Sequence, residues 1–237
     1  MSEGTVLMSA EEIDRALSRI AHQILEYAGG AREVALVGIH SRGVPLARRL
    51  AWKIVQAGED APPVGILDIN MYRDDLSRAD SPVVRRTELP FKSDEKHVVL
   101  VDDVLYTGRT IRSALDALMD HGRPRAIRLA VLIDRGGREL PIQPDFCGRS
   151  FTVLPEENVA VNLAEMDGGP DSVLLQNRAE LQSRAAARRA TLARGPGGVT
   201  PVALKAPRKA GRTAKPSKAK TTTSKAAPKG GRKGGRR

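Results

Sequence analysis

Residues 98–110 read VVLVDDVLYTGRT. The run Val98–Val101 is short, apolar and β-branched, as a strand buried on both faces would be. Asp102 and Asp103 follow at its end. Tyr106-Thr107-Gly108-Arg109-Thr110 then opens a helix over 110–121, with Ile111, Leu115 and Leu118 on one face and Gly122 and Pro124 beyond it. A loop that opens a helix presents unpaired backbone N–H groups, and the helix dipole favours an anion there. Gly108 permits close backbone approach. Thr107 and Thr110 add hydroxyls, and Arg109 adds charge. The stretch has the makings of a monophosphate cradle. Carboxylates do not bind that phosphate, but Asp102 and Asp103 are suited to accept hydrogen bonds from the hydroxyls of a phosphorylated sugar. A lone Asp-Asp would read equally well as a surface pair on an ordinary strand–turn–helix. The whole run is far more specific.

Outward from this stretch the chain alternates strands and helices. Ser9-Ala10-Glu11-Glu12 is a capping box, with Ser9 at N-cap and Glu12 at N3. Ile13, Leu17, Ile20 and Ile24 continue it as a helix that ends at Gly29-Gly30. Glu33–Ile39 (EVALVGI) predicts a buried strand, His40–Gly43 a loop and Val44–Gln56 a helix. Val64–Met71, His97–Val101 and Ala126–Ile133 predict three more strands. Short strands are expected near 151–154 and 158–163. Tyr72–Glu95 is polar and aperiodic, hence a long loop or arm. The pattern is α/β with a mainly parallel sheet. Ligands of such sheets sit at the carboxyl ends of the strands. Each carboxyl end here carries a polar cluster: Ser41-Arg42-Gly43, Tyr72-Arg73-Asp74-Asp75, Asp102 to Thr110, and Asp134-Arg135-Gly136.

The 237 residues carry a net charge of +11, unevenly spread. Residues 1–180 hold all 28 Asp and Glu against 22 of the 39 Lys and Arg, a net of −6; residues 181–237 hold the other 17 and no acid. From Arg194 on that tail is Lys, Arg, Ala, Pro, Gly, Thr and Ser, with Val199, Val202 and Leu204 the only larger apolar residues, too few to bury a core, so disorder is expected. A single-sign run of this length suits non-specific contact with nucleic-acid phosphates; a solubilising extension is the plainer alternative. Aromatic residues are 3% of the chain, so the core must be aliphatic. One cysteine, Cys147, excludes an internal disulfide and a cysteine-based zinc cluster. No apolar run approaches eighteen residues, and the acidic N-terminus is unlike a signal peptide, so a cytoplasmic protein without membrane contact is expected.

VVLVDDVLYTGRT resembles the phosphoribosyl-pyrophosphate (PRPP) signature of type I phosphoribosyltransferases. ALSRIAHQILE (16–26), LVGIHSRGVPLARRLA (36–51), DINMYRDDL (68–76) and the run from Leu100 to Ile142 are similar to the PyrR family. The resemblance spans about residues 5–176 and leaves the basic tail outside, so the expected domains are 1–180 and 181–237. It implies the type I phosphoribosyltransferase fold with a flexible hood loop. It also implies a regulator of pyrimidine biosynthesis that binds operon leader mRNA in response to UMP or UTP, and that transfers phosphoribosyl from PRPP to uracil, giving UMP and diphosphate. Mg²⁺ would arrive with PRPP, and a homodimer or higher assembly is implied.

By the same resemblance, Asp102 and Asp103 hold the ribose hydroxyls, and Tyr106, Thr107, Gly108, Arg109 and Thr110 cradle the 5-phosphate. Ser41, Arg42 and Gly43 form the pyrophosphate loop. Tyr72, Arg73, Asp74 and Asp75 belong to the hood, and Asp134, Arg135 and Gly136 flank the uracil. Tyr106 stands where some purine transferases carry an acid that serves as base, so no catalytic base is assigned. The RNA surface would use Ser18, Arg19 and His22 on the first helix, with Arg138 and Arg149. Gly137 and Gln143 depart from the basic residues frequent at their places. A salvage enzyme without RNA regulation, a purine transferase and a nucleoid-type DNA binder are the competing readings. The Tyr-Arg-Asp-Asp hood and Tyr106 argue against the second, and the intact Asp-Asp loop against the third.

Overall fold

A computed structural model describes residues 4–72 and 86–177, together with 179 and 183. Five parallel strands form the main sheet in the order β3-β2-β4-β5-β6: β2 (Val34–Ile39), β3 (Val64–Leu67), β4 (His97–Leu105), β5 (Ala126–Asp134) and β6 (Phe146–Ser150). Helices cover both faces. Against one lie α1 (Ala10–Ala28) and α2 (Gly43–Gln56); against the other lies α3 (Arg109–Met119). On β4, Val99 and Val101 enter the first core while Val98 and Leu100 enter the second. Burial on both faces is why these strands read as unbroken apolar runs. The core is aliphatic, with Phe146 its one buried aromatic ring among the described residues.

The capping box forms as the sequence predicts. The Glu12 amide donates to Ser9 Oγ, the Ser9 amide donates to Glu12 Oε2 at 2.9 Å, and Gly29 closes α1 in the left-handed conformation. β2, β4 and β5 start within one residue of their predicted places. β4, however, does not stop before the acids. It runs through Asp102 and Asp103 because Val104 and Leu105 still pair with Ile133 and Asp134 of β5.

Three expectations are corrected. No strand forms over 151–154; the strand is β6, immediately before it. The strand after Val64 ends at Leu67, four residues early. A second sheet was not foreseen. β1 (Thr5–Ser9), β7 (Glu157–Asn162) and β8 (Ser172–Asn177) pair antiparallel in the order β1-β8-β7. A four-residue helix, α4 (Ala164–Asp167), lies between β7 and β8. The tail expected to be disordered, and most of the 72–95 arm, lie outside the described residues. No helix among the described residues is long and apolar enough to cross a membrane.

Candidate functional site

Parallel strands place their following loops along one edge of the sheet, and three of the four predicted clusters, those at 41–43, 102–110 and 134–136, lie there. The loop after β2 folds against β4. A Cβ on Gly43 would lie 2.1 Å from the Val101 carbonyl oxygen and 3.4 Å from Asp102 Cα, so only glycine allows this approach. Ser41-Arg42-Gly43 is thereby set beside the Asp-Asp pair. The loop after β5 joins the loop after β4 through the Arg135 amide, which donates to the Leu105 carbonyl at 3.1 Å. The His40–Ser41 peptide is cis.

Asp102 is buried, and Asp103 is half-buried. The Asp103 amide donates to Asp102 Oδ1, and the Val104 amide donates to Asp103 Oδ1, both at 2.9 Å. Burial pushes the Asp103 carboxyl above the ordinary aspartate range, against the opposing pull of these hydrogen bonds and of the Arg42 charge. Each carboxylate is thus held by a backbone amide at the mouth of the sheet, with Arg42 within electrostatic reach of Asp103.

The 106–110 loop turns into a helix start, as its sequence suggests. Gly108 is the N-cap of α3 with φ 92°, a left-handed conformation that suits glycine. No side chain caps this helix, and its first turn holds no acid. Thr107 Oγ1 accepts from the Arg109 amide at 3.3 Å, and Arg109 Nε pairs with Glu139 Oε2 at 2.7 Å. Thr110 opens the helix behind them. Tyr106 is stacked under the guanidinium of Arg135, 3.9 Å from its ring centroid.

Arg42 holds a partner that its sequence neighbourhood does not announce. Its Nη2 lies 2.9 Å from Asp167 Oδ1 on α4, while its buried Nε has no hydrogen-bond partner. Asp167 is itself fixed, because its Oδ2 accepts from the Leu163 amide at 2.9 Å. Arg49 of α2 ties the same segment down by pairing with Glu165 and Asp171. That contact raises the Arg49 pKa, with the Asp171 hydrogen bond as its largest cause, and lowers those of both acids. Asp167 carries no sequence signal for this role: it lies 125 residues from Arg42 in an unremarkable acidic stretch.

The other predicted residues fall as follows. Tyr72 sends its hydroxyl to Asp120, at the far end of α3 from Gly108, and its carbonyl accepts from Ser113 Oγ at 3.0 Å. Arg73, Asp74 and Asp75 lie outside the described residues. Asp134 pairs with Arg138 at 2.8 Å and accepts from the Gly136 amide at 2.9 Å. Arg135 is buried.

On the α1 side, Arg19 and Arg149 line one open cleft of about 400 Å³ with Glu12, Arg15 and Gly148. Arg19 donates to the Gly148 carbonyl, and Arg149 pairs with Glu12 at 3.0 Å. Ser18 Oγ donates to the Asp14 carbonyl at 3.0 Å, and His22 Nδ1 lies 2.7 Å from the Ser18 carbonyl. Arg15 is an addition that helical spacing could have supplied, since it stands one turn before Arg19. Arg138 does not line this cleft; its side chain is turned inward and is 14% exposed.

The phosphoribosyl transferase domain family matches residues 8–165. The chain is 55% identical over 170 residues to the bifunctional protein PyrR of Roseiflexus sp., covering 71% of this chain and 93% of that protein. The chain belongs to the PyrR family. The bifunctional protein PyrR of Herpetosiphon aurantiacus is 58% identical over 170 residues, 71% of this chain and 95% of that one. Among solved structures, the hypoxanthine phosphoribosyl transferase of Trypanosoma cruzi shares the fold with a TM-score of 0.60 at 18% identity, covering 78% of this chain and 98% of that one. The type I phosphoribosyltransferase fold is therefore established, and membership of the PyrR family separates the chain from purine transferases that share only its architecture.

Proposed function

We propose that this chain transfers phosphoribosyl from PRPP to uracil and regulates pyrimidine biosynthetic genes by binding their leader mRNA in response to UMP or UTP. The observation that carries the reading is the meeting, at one sheet edge, of the Asp102-Asp103 pair, the uncapped Gly108 N-terminus and the Ser41-Arg42-Gly43 loop, in a chain of the PyrR family. Asp102 and Asp103 accept from the ribose hydroxyls. Backbone N–H groups of 107–110, with Thr107, Thr110 and Arg109, bind the 5-phosphate. Arg42 and its loop bind the leaving diphosphate. Breaking the sugar C1–O bond builds negative charge on that diphosphate, so fixed donors there lower the barrier.

The described residues hold no group of three or more His, Cys, Asp or Glu able to cage a metal. The carboxylate oxygens of Asp102 and Asp103 nevertheless suit Mg²⁺ that keeps waters and arrives on PRPP. Bound there, Mg²⁺ would neutralise charge on the diphosphate. Asp134, Arg135 and Gly136 border the uracil, which backbone N–H and C=O groups can read without a diagnostic side chain.

The RNA face comprises Ser18, Arg19 and His22 of α1, with Arg149 across the cleft. The tail from 181 adds sequence-independent phosphate contacts. The working form is a homodimer or higher assembly in the cytoplasm. A gel shift with pyrimidine-operon leader RNA, with and without UMP, run on the full chain and on residues 1–180, tests the regulator. UMP-dependent binding by the 1–180 form is expected. Binding that needs the tail and ignores UMP would leave only a salvage enzyme with a polyanion-binding arm.

A further inference from the structure

The inward turn of Arg138 gives it a different place from the other basic residues of the RNA face. All three nitrogens of its guanidinium are engaged. Nε donates to the Ile142 carbonyl at 2.8 Å. Nη1 donates to the Tyr106 carbonyl at 3.0 Å and reaches the Leu105 carbonyl at 3.5 Å. Nη2 pairs with Asp134 Oδ2 at 2.8 Å. One side chain therefore binds three segments: the loop after β4 that leads to Gly108, the end of β5, and the chain beyond it.

The backbone around it makes the same connection. The Glu139 and Leu140 amides donate to the Thr107 carbonyl at 2.9 and 3.0 Å. Tyr106 is held from both sides, by the Arg135 guanidinium and by Gly137, where a Cβ would come within 2.6 Å of the Tyr106 ring. Glycine at 137 is thus accounted for by the room Tyr106 takes up.

We propose that Arg138 is a positioning residue of the transfer reaction, a staple that holds the phosphate loop 105–108 against the 134–142 segment and does not contact RNA phosphate. The proposal builds on the reading of 106–110 as the PRPP phosphate cradle. A cradle of backbone N–H groups binds well only when it is already in place, since a loose loop must be ordered at each binding event. With the staple gone, the Tyr106 carbonyl loses its partner and the loop its register. The loss should appear mainly in the KM for PRPP and in UMP affinity, with kcat less affected.

Lysine separates the two roles. R138K keeps the positive charge that an RNA phosphate would feel, but it lacks the planar fork that reaches three segments at once. The test uses full-length R138K and R138M. Expected for both are a rise in KM for PRPP and a fall in UMP affinity of about tenfold or more, the scale of a lost charged hydrogen bond. The expected salt dependence of leader-RNA binding is unchanged. Amide exchange without ligand should quicken at 105–108 and not in α1, which distinguishes local release from general unfolding. The proposal is overturned if R138K behaves as wild type while R138M loses RNA affinity and about one unit of salt slope, the mark of a phosphate contact. Unchanged exchange at 105–108 would overturn the staple itself. Faster exchange there with unchanged PRPP and UMP affinities would overturn the positioning role and place the error in the cradle assignment.

Discussion

The helix α1 begins under a reciprocal cap, in which the Ser9 side chain and the Glu12 carboxylate each accept from the other's backbone amide. The helix α3 begins on Gly108, with no capping side chain and no acid in its first turn. The helix α2 begins on Arg42 in the same uncapped way. An exposed helix start left without a cap forgoes about 1 kcal/mol. α2 and α3, which follow strands whose carboxyl ends carry the predicted clusters, both forgo it, as does the short α4. On the proposed function, the α3 N–H groups not taken by Thr107 Oγ1 serve a phosphate. α1, which leads into β2, also starts toward the carboxyl edge, where Glu12 of its first turn pairs with Arg149 near the end of β6, and it uses its own side chains. On the proposed function, the contrast is between a start sealed by its own side chains and a start left for a phosphate.

The strongest way to break the contrast is to give α3 a cap of the α1 kind. Gly108→Asp places an acid where the phosphate should sit. Uracil phosphoribosyltransferase assays should show kcat/KM for PRPP lower by about a hundredfold or more, the scale of losing an oxyanion donor and adding repulsion. Thermal melting should change by only a few degrees, because aspartate tolerates positive φ better than most residues.

Next in size is Asp103→Asn, which removes a charged acceptor. The KM for PRPP should rise about ten- to a hundredfold. In the native chain burial lifts the Asp103 pKa above the ordinary 3.8. Protonation, and with it loss of the ribose acceptor, therefore begins at a higher pH than for an exposed aspartate. The KM for PRPP should climb as pH falls through that range, and a pH profile of D103N should lack the climb.

A smaller change tests the uncapped start of α2. Asp167→Asn weakens the hold on Arg42, so inhibition by pyrophosphate should weaken by about three- to tenfold. Tighter pyrophosphate binding would show that Asp167 competes for Arg42 instead of aiming it. Smallest of all for catalysis is Ser9→Ala. It should cost about 1 kcal/mol of stability, roughly 3 °C in Tm, with uracil transfer within about twofold of wild type.

Where the physics is local, the sequence was readable. The Ser9–Glu12 cap, the β2, β4 and β5 runs and the Thr107-Gly108-Arg109 turn all declare themselves within a few neighbouring residues. The Asp-Asp pair was legible as chemistry but misplaced by a few residues, because β4 is extended by pairing with β5 and not by its own composition. β1 and β8 were missed because their stability is non-local. Thr5 pairs with Leu175, and β1 is exposed over most of its length. Asp167 and the inward turn of Arg138 were invisible for the same reason. An arginine in a polar stretch reads alike whether it faces solvent or joins three segments.

The pairing of β1 with β8 has a consequence for how the molecule is made. The first strand of the described body finds its only sheet partner at residues 172–175. On the ribosome, Met8 and its neighbours therefore wait, unpaired, until almost the whole body has emerged. The five-stranded sheet can assemble in order of synthesis, since its crossovers join strands close in sequence. The small sheet cannot, because long-range pairing must close over the full chain. The last strand to be synthesised seals the first, so a nascent chain stalled before Ser172 would expose an apolar edge beside α1, a target for chaperones.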